Sequence, residues 1–204
     1  MQPDQPTARG GLMKGIVFTE FLTMVEERFS LATVEHIIEA AHLPSQGVYT
    51  SVGTYPVEEM VKLLQQLSAR AGVAIPDLLK AFGHYLLGRF VRGYPGFFAA
   101  HASTLDFLSA VEEHIHVEVR KLYADAELPR FFCERVSDQT LTMLYRSPRG
   151  LADLAEGLIR GCAEHYRENV RIERDDESAG SGTQVRFTIT VETQAPSTGM
   201  EASA

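Results

Sequence analysis

Two cysteines in 204 residues, Cys133 and Cys162, are too few for a disulfide framework or a four-thiolate zinc site. Both fall inside apolar patterns, where a free thiol usually serves as a small core residue, and such sparse usage fits a reducing cytoplasm. Positive charge is also scarce: 19 Lys and Arg stand against 27 Asp and Glu, for a formal net charge of -8. The basic residues are scattered rather than striped, which argues against a nucleic-acid backbone or an anionic membrane as the main partner. No apolar run approaches bilayer length, and the first residues lack the charged start and apolar stretch of a signal peptide. These absences predict a soluble cytoplasmic protein. What is present, 45% hydrophobic residues, suffices for one compact domain that buries a core and still encloses a small-molecule pocket.

Residues 1–12, with Pro3, Pro6, Gly10 and Gly11, read as a disordered lead-in, and residues 192–204 as a disordered tail, which leaves 13–191 as a single domain. Helical periodicity dominates its first two thirds. Phe18, Phe21, Leu22, Val25 and Phe29 recur at helix spacing, as do Val34, Ile37, Ile38 and Ala41. Pro56 opens a third helix whose buried stripe is Val57, Met60, Val61, Leu64 and Leu67, with Gly72 placed to end it. Pro76 opens a fourth, with Leu79, Phe82, Leu86 and Phe90 inward. After the aromatic connector 94–98, Ser103-x-x-Asp106 starts a long helix that runs to about Tyr123. The last third changes period: hairpin strands at 131–136 and 140–145, a helix from Leu151 to about Glu168, and a second hairpin at 170–174 and 183–191. The expected fold class is α+β, a mainly helical N-terminal subdomain followed by a small antiparallel sheet built as hairpin, helix, hairpin.

Two features carry chemistry. In Tyr145-Arg146-Ser147-Pro148-Arg149 an extended backbone would place Tyr145, Ser147 and Arg149 on one face. A phenol, a hydroxyl and a guanidinium together suit a dianionic ligand, the Arg fork gripping one carboxylate and the hydroxyls another. Taken alone, the segment reads more simply as a polar edge strand running into a turn at Ser147-Pro148-Arg149-Gly150. The second feature is His116, at the border of the apolar face formed by Leu105, Leu108, Val111, Ile115, Val119 and Leu122. A histidine there is usually an ordinary boundary residue. His114 lies two residues away on a nearly opposite face, so the pair cannot share one ion, and Glu112 at i-4 does not complete a closed metal site with His116. The carboxylates Asp106, Glu112, Glu113 and Glu118 spread around the helix as a solvated face.

Taken in order, these segments resemble the haem nitric oxide/oxygen binding (H-NOX) domains, the family that includes the haem domain of soluble guanylate cyclase. The resemblance covers about 13–191. It begins at Met13-Lys14-Gly15-Ile16-Val17, continues through Glu113-His114-Ile115-His116-Val117-Glu118-Val119-Arg120 and Glu127-Leu128-Pro129-Arg130-Phe131, and includes Tyr145-x-Ser147-x-Arg149. It implies a haem b pocket between the two subdomains, with His116 as the axial iron ligand. Pro129 would press on the porphyrin, and Tyr145, Ser147 and Arg149 would hold the propionates. These parts meet what a haem needs: an axial donor on a rigid element, an apolar slot and a polar anchor.

In the family's oxygen-binding members a tyrosine from the penultimate helix holds the bound gas, and the matching residue here is Leu154. Val17, Phe21, Leu86, Phe90 and Leu158 complete an apolar distal wall, with His84 and Tyr85 the nearby polar residues that would change it by turning inward. The resemblance therefore implies a non-enzymatic sensor of nitric oxide that also takes carbon monoxide. Because the chain ends shortly after the second hairpin, it is expected to signal through a separate protein such as a histidine kinase or a cyclic-di-nucleotide enzyme. The zinc site of some bacterial members is beyond two cysteines. The competing expectation is a haem-free interaction module of the same fold.

Overall fold

The computed structural model describes residues 10–192. Most of the expected lead-in and tail therefore lies outside the described residues. Ordered structure begins earlier than Met13, because Gly10 N donates to the Glu58 carboxylate at 2.9 Å and Leu12 opens a short strand. That strand, β1 (Leu12–Lys14), pairs antiparallel with β2 (Thr54–Pro56) in a two-stranded ribbon whose three-residue strands are too short for a readable alternation.

Helices α1 (Gly15–Arg28), α2 (Leu31–Ala41), α3 (Val57–Ala71) and α4 (Ile75–Gly93) follow the expected periodicity, with two corrections. Phe29 lies one residue beyond α1 and is exposed; Val61 is 38% exposed, its place on the buried stripe of α3 taken by Leu63. The two stripes span equal arcs at 100° per residue, so periodicity alone does not decide between them; the packed face of α3 is rotated toward Leu63. Gly72 ends α3 in the left-handed conformation at φ 69°. After the short α5 (Pro95–Ala99), the long helix expected from Ser103 is interrupted. Ser103 Oγ accepts from Asp106 N at 3.1 Å and opens α6 (Thr104–Ala110). A π-helical turn then spans Val111–Ile115, and α7 (His116–Leu122) completes the segment. At this turn the His116 N–H reaches back five residues to Val111 O, a widening that apolar periodicity cannot reveal.

Strands β3 (Arg130–Ser137), β4 (Thr140–Arg146), β5 (Val170–Asp176) and β6 (Gln184–Val191) form one antiparallel sheet in the order β3-β4-β6-β5, with α8 (Ala152–His165) between the hairpins in sequence. The architecture is α+β, as expected. Pairing of β4 with β6 places Tyr145 opposite Val185 and joins the two hairpins. Two apolar cores result. One lies among α1 to α4 around Phe18, Phe21 and Phe82; the other lies among α6, α8 and the sheet around Phe107, Met143 and Phe187. Helices α4 and α8 serve both. They touch backbone to backbone: a Cβ on Gly83 would fall 2.2 Å from Leu154 O, and one on Gly157 2.1 Å from Lys80 O. The boundary between the cores therefore runs along this helix pair rather than at a single point in the chain. Buried Glu156 draws Lys80 of α4, Arg160 of α8 and Arg174 of β5 around it. Among the described residues no helix is long and apolar enough to cross a membrane.

Candidate functional site

Between the two cores lies a cavity of about 280 Å³, walled by carbon on almost every side. Its walls come from β1, α1 and the α4–α8 pair on one side, and from α6, α7 and β3 on the other. His116 reaches it from the first turn of α7. The imidazole is buried, with Nδ1 3.1 Å from Glu112 Oε2. Burial lowers its pKa below the ordinary histidine value and the Glu112 contact only partly opposes this, so the neutral ring is favoured. His114 is exposed. The same Glu112 oxygen accepts from Phe131 N at 3.2 Å, and the Phe131 ring packs against both His116 and Tyr145 at centroid distances of 5.6 and 5.7 Å.

The polar end is built differently from the extended strand expected for it. Only Tyr145 lies in β4; Ser147 and Arg149 belong to the turn after it, which Gly150 closes at φ 63°. The turn, not strand alternation, brings them together. Tyr145 Oη accepts from Leu151 N at 3.2 Å, and Arg149 Nε donates to Ser147 Oγ at 3.3 Å. Arg149 Nη1 donates to the carbonyls of Leu12 and Glu127 at 2.9 and 2.8 Å. Tyr145 and Arg149 line the cavity, while buried Ser147 stands behind Arg149. Burial raises the Tyr145 pKa and lowers that of Arg149. Pro129 also faces the cavity.

Of the expected distal residues, Val17, Leu86, Phe90, Leu154 and Leu158 line the cavity. Phe21 does not. It is fully buried one layer behind, edge-on to Phe82 at 5.2 Å, because its position on α1 points into the helical core. His84 pairs with Glu164 on the outer side, and Tyr85 lies beside Glu27 and Glu20, so neither turns inward. Sequence reasoning missed Tyr94, Tyr123, Phe131 and Lys14, which also line the wall. Tyr94 and Tyr123 both reach this wall, and the neighbouring Tyr123 phenol raises the Tyr94 pKa. Lys14 is buried, its ammonium donating to Val52 O at 2.6 Å, Thr54 Oγ1 at 2.8 Å and Asp125 at 3.0 Å. Glu112, expected on a solvated face, is half-buried against His116; its i,i+4 spacing was the available signal.

The fold and cavity define a class: an α+β domain enclosing an apolar slot, with one buried neutral imidazole on its wall and one polar end. Among the described residues no three His, Cys, Asp or Glu side chains gather to hold a bare ion. An iron at His116 would thus need a ligand set that brings its own donors, which is what a porphyrin does, and the residues fit that group. The haem-NO-binding family model matches residues 14–174. The chain belongs to this family, the H-NOX domains, a haem-based gas-sensor fold. An unliganded Fe(II) H-NOX protein from K. algicida is 42% identical, with a TM-score of 0.85 over 89% of this chain and 97% of its own. The IWP-051-bound H-NOX from Shewanella woodyi in the Fe(II)CO state is 38% identical, with a TM-score of 0.76 over 94% of this chain and 99% of its own. An H-NOX protein from S. oneidensis in the Fe(II)NO state is 26% identical, with a TM-score of 0.82 over 89% and 100%. No curated protein matches the chain.

Proposed function

We propose that this chain holds haem b through His116 and senses nitric oxide, passing the state to a separate signalling protein. The observation that carries the reading is the convergence on one apolar cavity of a buried imidazole, its Nδ1 already engaged, and the Tyr145, Ser147, Arg149 cluster. With Nδ1 on Glu112, Nε2 is left as the donor atom. Half-buried Arg149 would supply the cation for a propionate, its guanidinium held by Ser147 Oγ, with the Tyr145 phenol beside it on the cavity wall. Pro129, also on the wall, would bear on the macrocycle. Non-covalent attachment follows from Cys133 and Cys162, which are too far apart in sequence to make a paired thioether anchor. Burial pushes the Cys133 thiol up to about 11 and raises Cys162 as well, which keeps both inert and suits a cytoplasmic sensor without enzymatic chemistry.

When bound, haem would supply an iron able to take a diatomic gas, with His116 as its protein ligand. A change at His116 would pass to α7, while Arg149 and Pro129 would hold the group from the other side of the cavity. The two cores can repack about the cavity, and the partner, such as a histidine kinase or a cyclic-di-nucleotide enzyme, reads the change. Leu154 offers no hydrogen to a bound gas, which favours nitric oxide and carbon monoxide over dioxygen. Absorption spectra of the ferrous protein under argon, nitric oxide, carbon monoxide and air test this. Distinct complexes with nitric oxide and carbon monoxide and none in air are expected; a colourless protein after haem supplementation overturns the reading.

A further inference from the structure

The unusual feature of the site is not the histidine but the carboxylate behind it. One oxygen of Glu112 accepts from two elements at once, His116 Nδ1 at 3.1 Å and the backbone N–H of Phe131 in β3 at 3.2 Å. Its other oxygen lies 3.9 Å from the Arg120 guanidinium and 3.7 Å from that of Arg130, so its charge is balanced from both α7 and β3. Glu112 sits within the π-helical turn and His116 directly follows it, where the backbone bond to Val111 O spans five residues. Local backbone geometry at the ligand is therefore wider than in an α-helix, and a side-chain bond is what fixes the ring. Phe131 in turn stands opposite Tyr145 in the β3–β4 register.

We infer that Glu112 is the positioning residue of His116, and that it mechanically links the imidazole to strand β3 and onward to the clamp end of the cavity. The inference rests on His116 being the haem ligand. An imidazole that gives its Nδ1 proton to a carboxylate has a fixed tautomer and a more basic Nε2, so it binds metal more strongly. When His116 moves, Glu112 cannot follow it without giving up the Phe131 amide. The strand therefore feels whether the histidine is in place.

The test uses the full haem-loaded chain, with Glu112→Gln as the variant that retains a neutral acceptor and Glu112→Ala as the one that removes it. Resonance Raman of the ferrous protein should show the iron–histidine stretch moving to lower frequency in Glu112→Gln and further in Glu112→Ala. Haem loss should quicken by roughly 10- to 100-fold in Glu112→Ala. In the wild type, nitric oxide should change hydrogen exchange at the Phe131 amide, and Glu112→Gln should reduce that change. An unmoved stretch in Glu112→Gln, with exchange at Phe131 altered alone, would reduce Glu112 to a structural cap on β3 and overturn the inference. If Glu112→Ala does not fold, the Glu112→Gln frequency decides. Absence of any iron–histidine band in the wild type would instead reject the haem-ligand reading of His116.

Discussion

Gly157→Ala puts a single methyl into the close backbone contact between α4 and α8. The new Cβ would lie 2.1 Å from Lys80 O and 2.9 Å from Lys80 C and Cα. These are backbone atoms of α4 and cannot swing aside. Ordinary van der Waals contact requires α4 and α8 to part locally by roughly 1 Å. An alanine in a helix interior gains about 1 kcal/mol over glycine, whereas overpacking by one carbon in a rigid contact costs about 1–3 kcal/mol. Two opposed backbones place the loss at the upper end, for a net destabilisation of about 1–2 kcal/mol. In a domain of this size that lowers Tm by roughly 2–8 °C. Because Leu86 and Leu158 of the same helices wall the cavity, haem should also leave faster. Gly88→Ala is the control: on the same α4 its Cβ meets nothing nearer than Arg92 Nη1 at 3.9 Å, so it should be neutral or stabilising by up to about 1 kcal/mol. Thermal and urea unfolding of the haem-loaded proteins would measure both. A Gly157→Ala variant as stable as Gly88→Ala would refute the argument that close approach, rather than helix propensity, governs this interface.

His116→Gly should lose its ferrous haem spectrum and regain it with added imidazole, whereas His114→Ala, at an exposed position, should leave the spectrum unchanged. Arg149→Ala removes the half-buried cation proposed to pair with a propionate, a charge-assisted bond worth at most about 1.5–3 kcal/mol, so transfer of haem to an apo-globin acceptor should accelerate by up to roughly 10- to 100-fold. Leu154→Tyr should introduce an oxy spectrum in air, because it alone adds a donor on the α8 wall; no change in air would place the phenol out of reach. Hydrogen bonds from Ser178, side chain first and then backbone, hold the Asp176 carboxyl below its ordinary value of 3.8. The turn it organises should be fully protected above that pH and lose protection as pH falls through the depressed value. Hydrogen exchange at the Gly182 amide reports this, and Asp176→Asn should flatten the profile.

Apolar period made most of the fold legible, because burying one stripe of each helix and one face of each strand leaves few alternatives. It was blind where backbone geometry departs from the regular period. The π-helical turn keeps the residue types of an α-helix, and β1 and β2 are too short to alternate. Side-chain depth was also hidden. Phe21 and Val17 sit four residues apart on α1, yet only Val17 reaches the cavity. The clamp was legible as chemistry and misread as geometry, since Ser147 and Arg149 meet through a turn. Lys14 carried no signal, as a lone lysine near the N-terminal end of the domain gives no hint that its three hydrogen-bond partners, Val52, Thr54 and Asp125, come from distant segments. Glu112 was visible at i-4 but looked like one more solvated acid.

The ribbon that includes Lys14 has a bearing on movement. Lys14 and Thr54 both grip Asp125, while Leu12 N donates to the Glu127 carboxylate, so the segment after α7 is fastened to β1 and β2. At its other end α7 meets the wide π-helical turn. His116 therefore lies between a wide turn at 111–115 and a segment tied down at Asp125, so a displacement at the ligand should be taken up at 111–115 more readily than at the tied end. Asp125 is 63% exposed, so its attraction to Lys14 weakens as salt rises. The Thr54 hydroxyl on Asp125 and the Leu12 amide on Glu127 do not depend on a second charge, so part of the tie persists at high ionic strength.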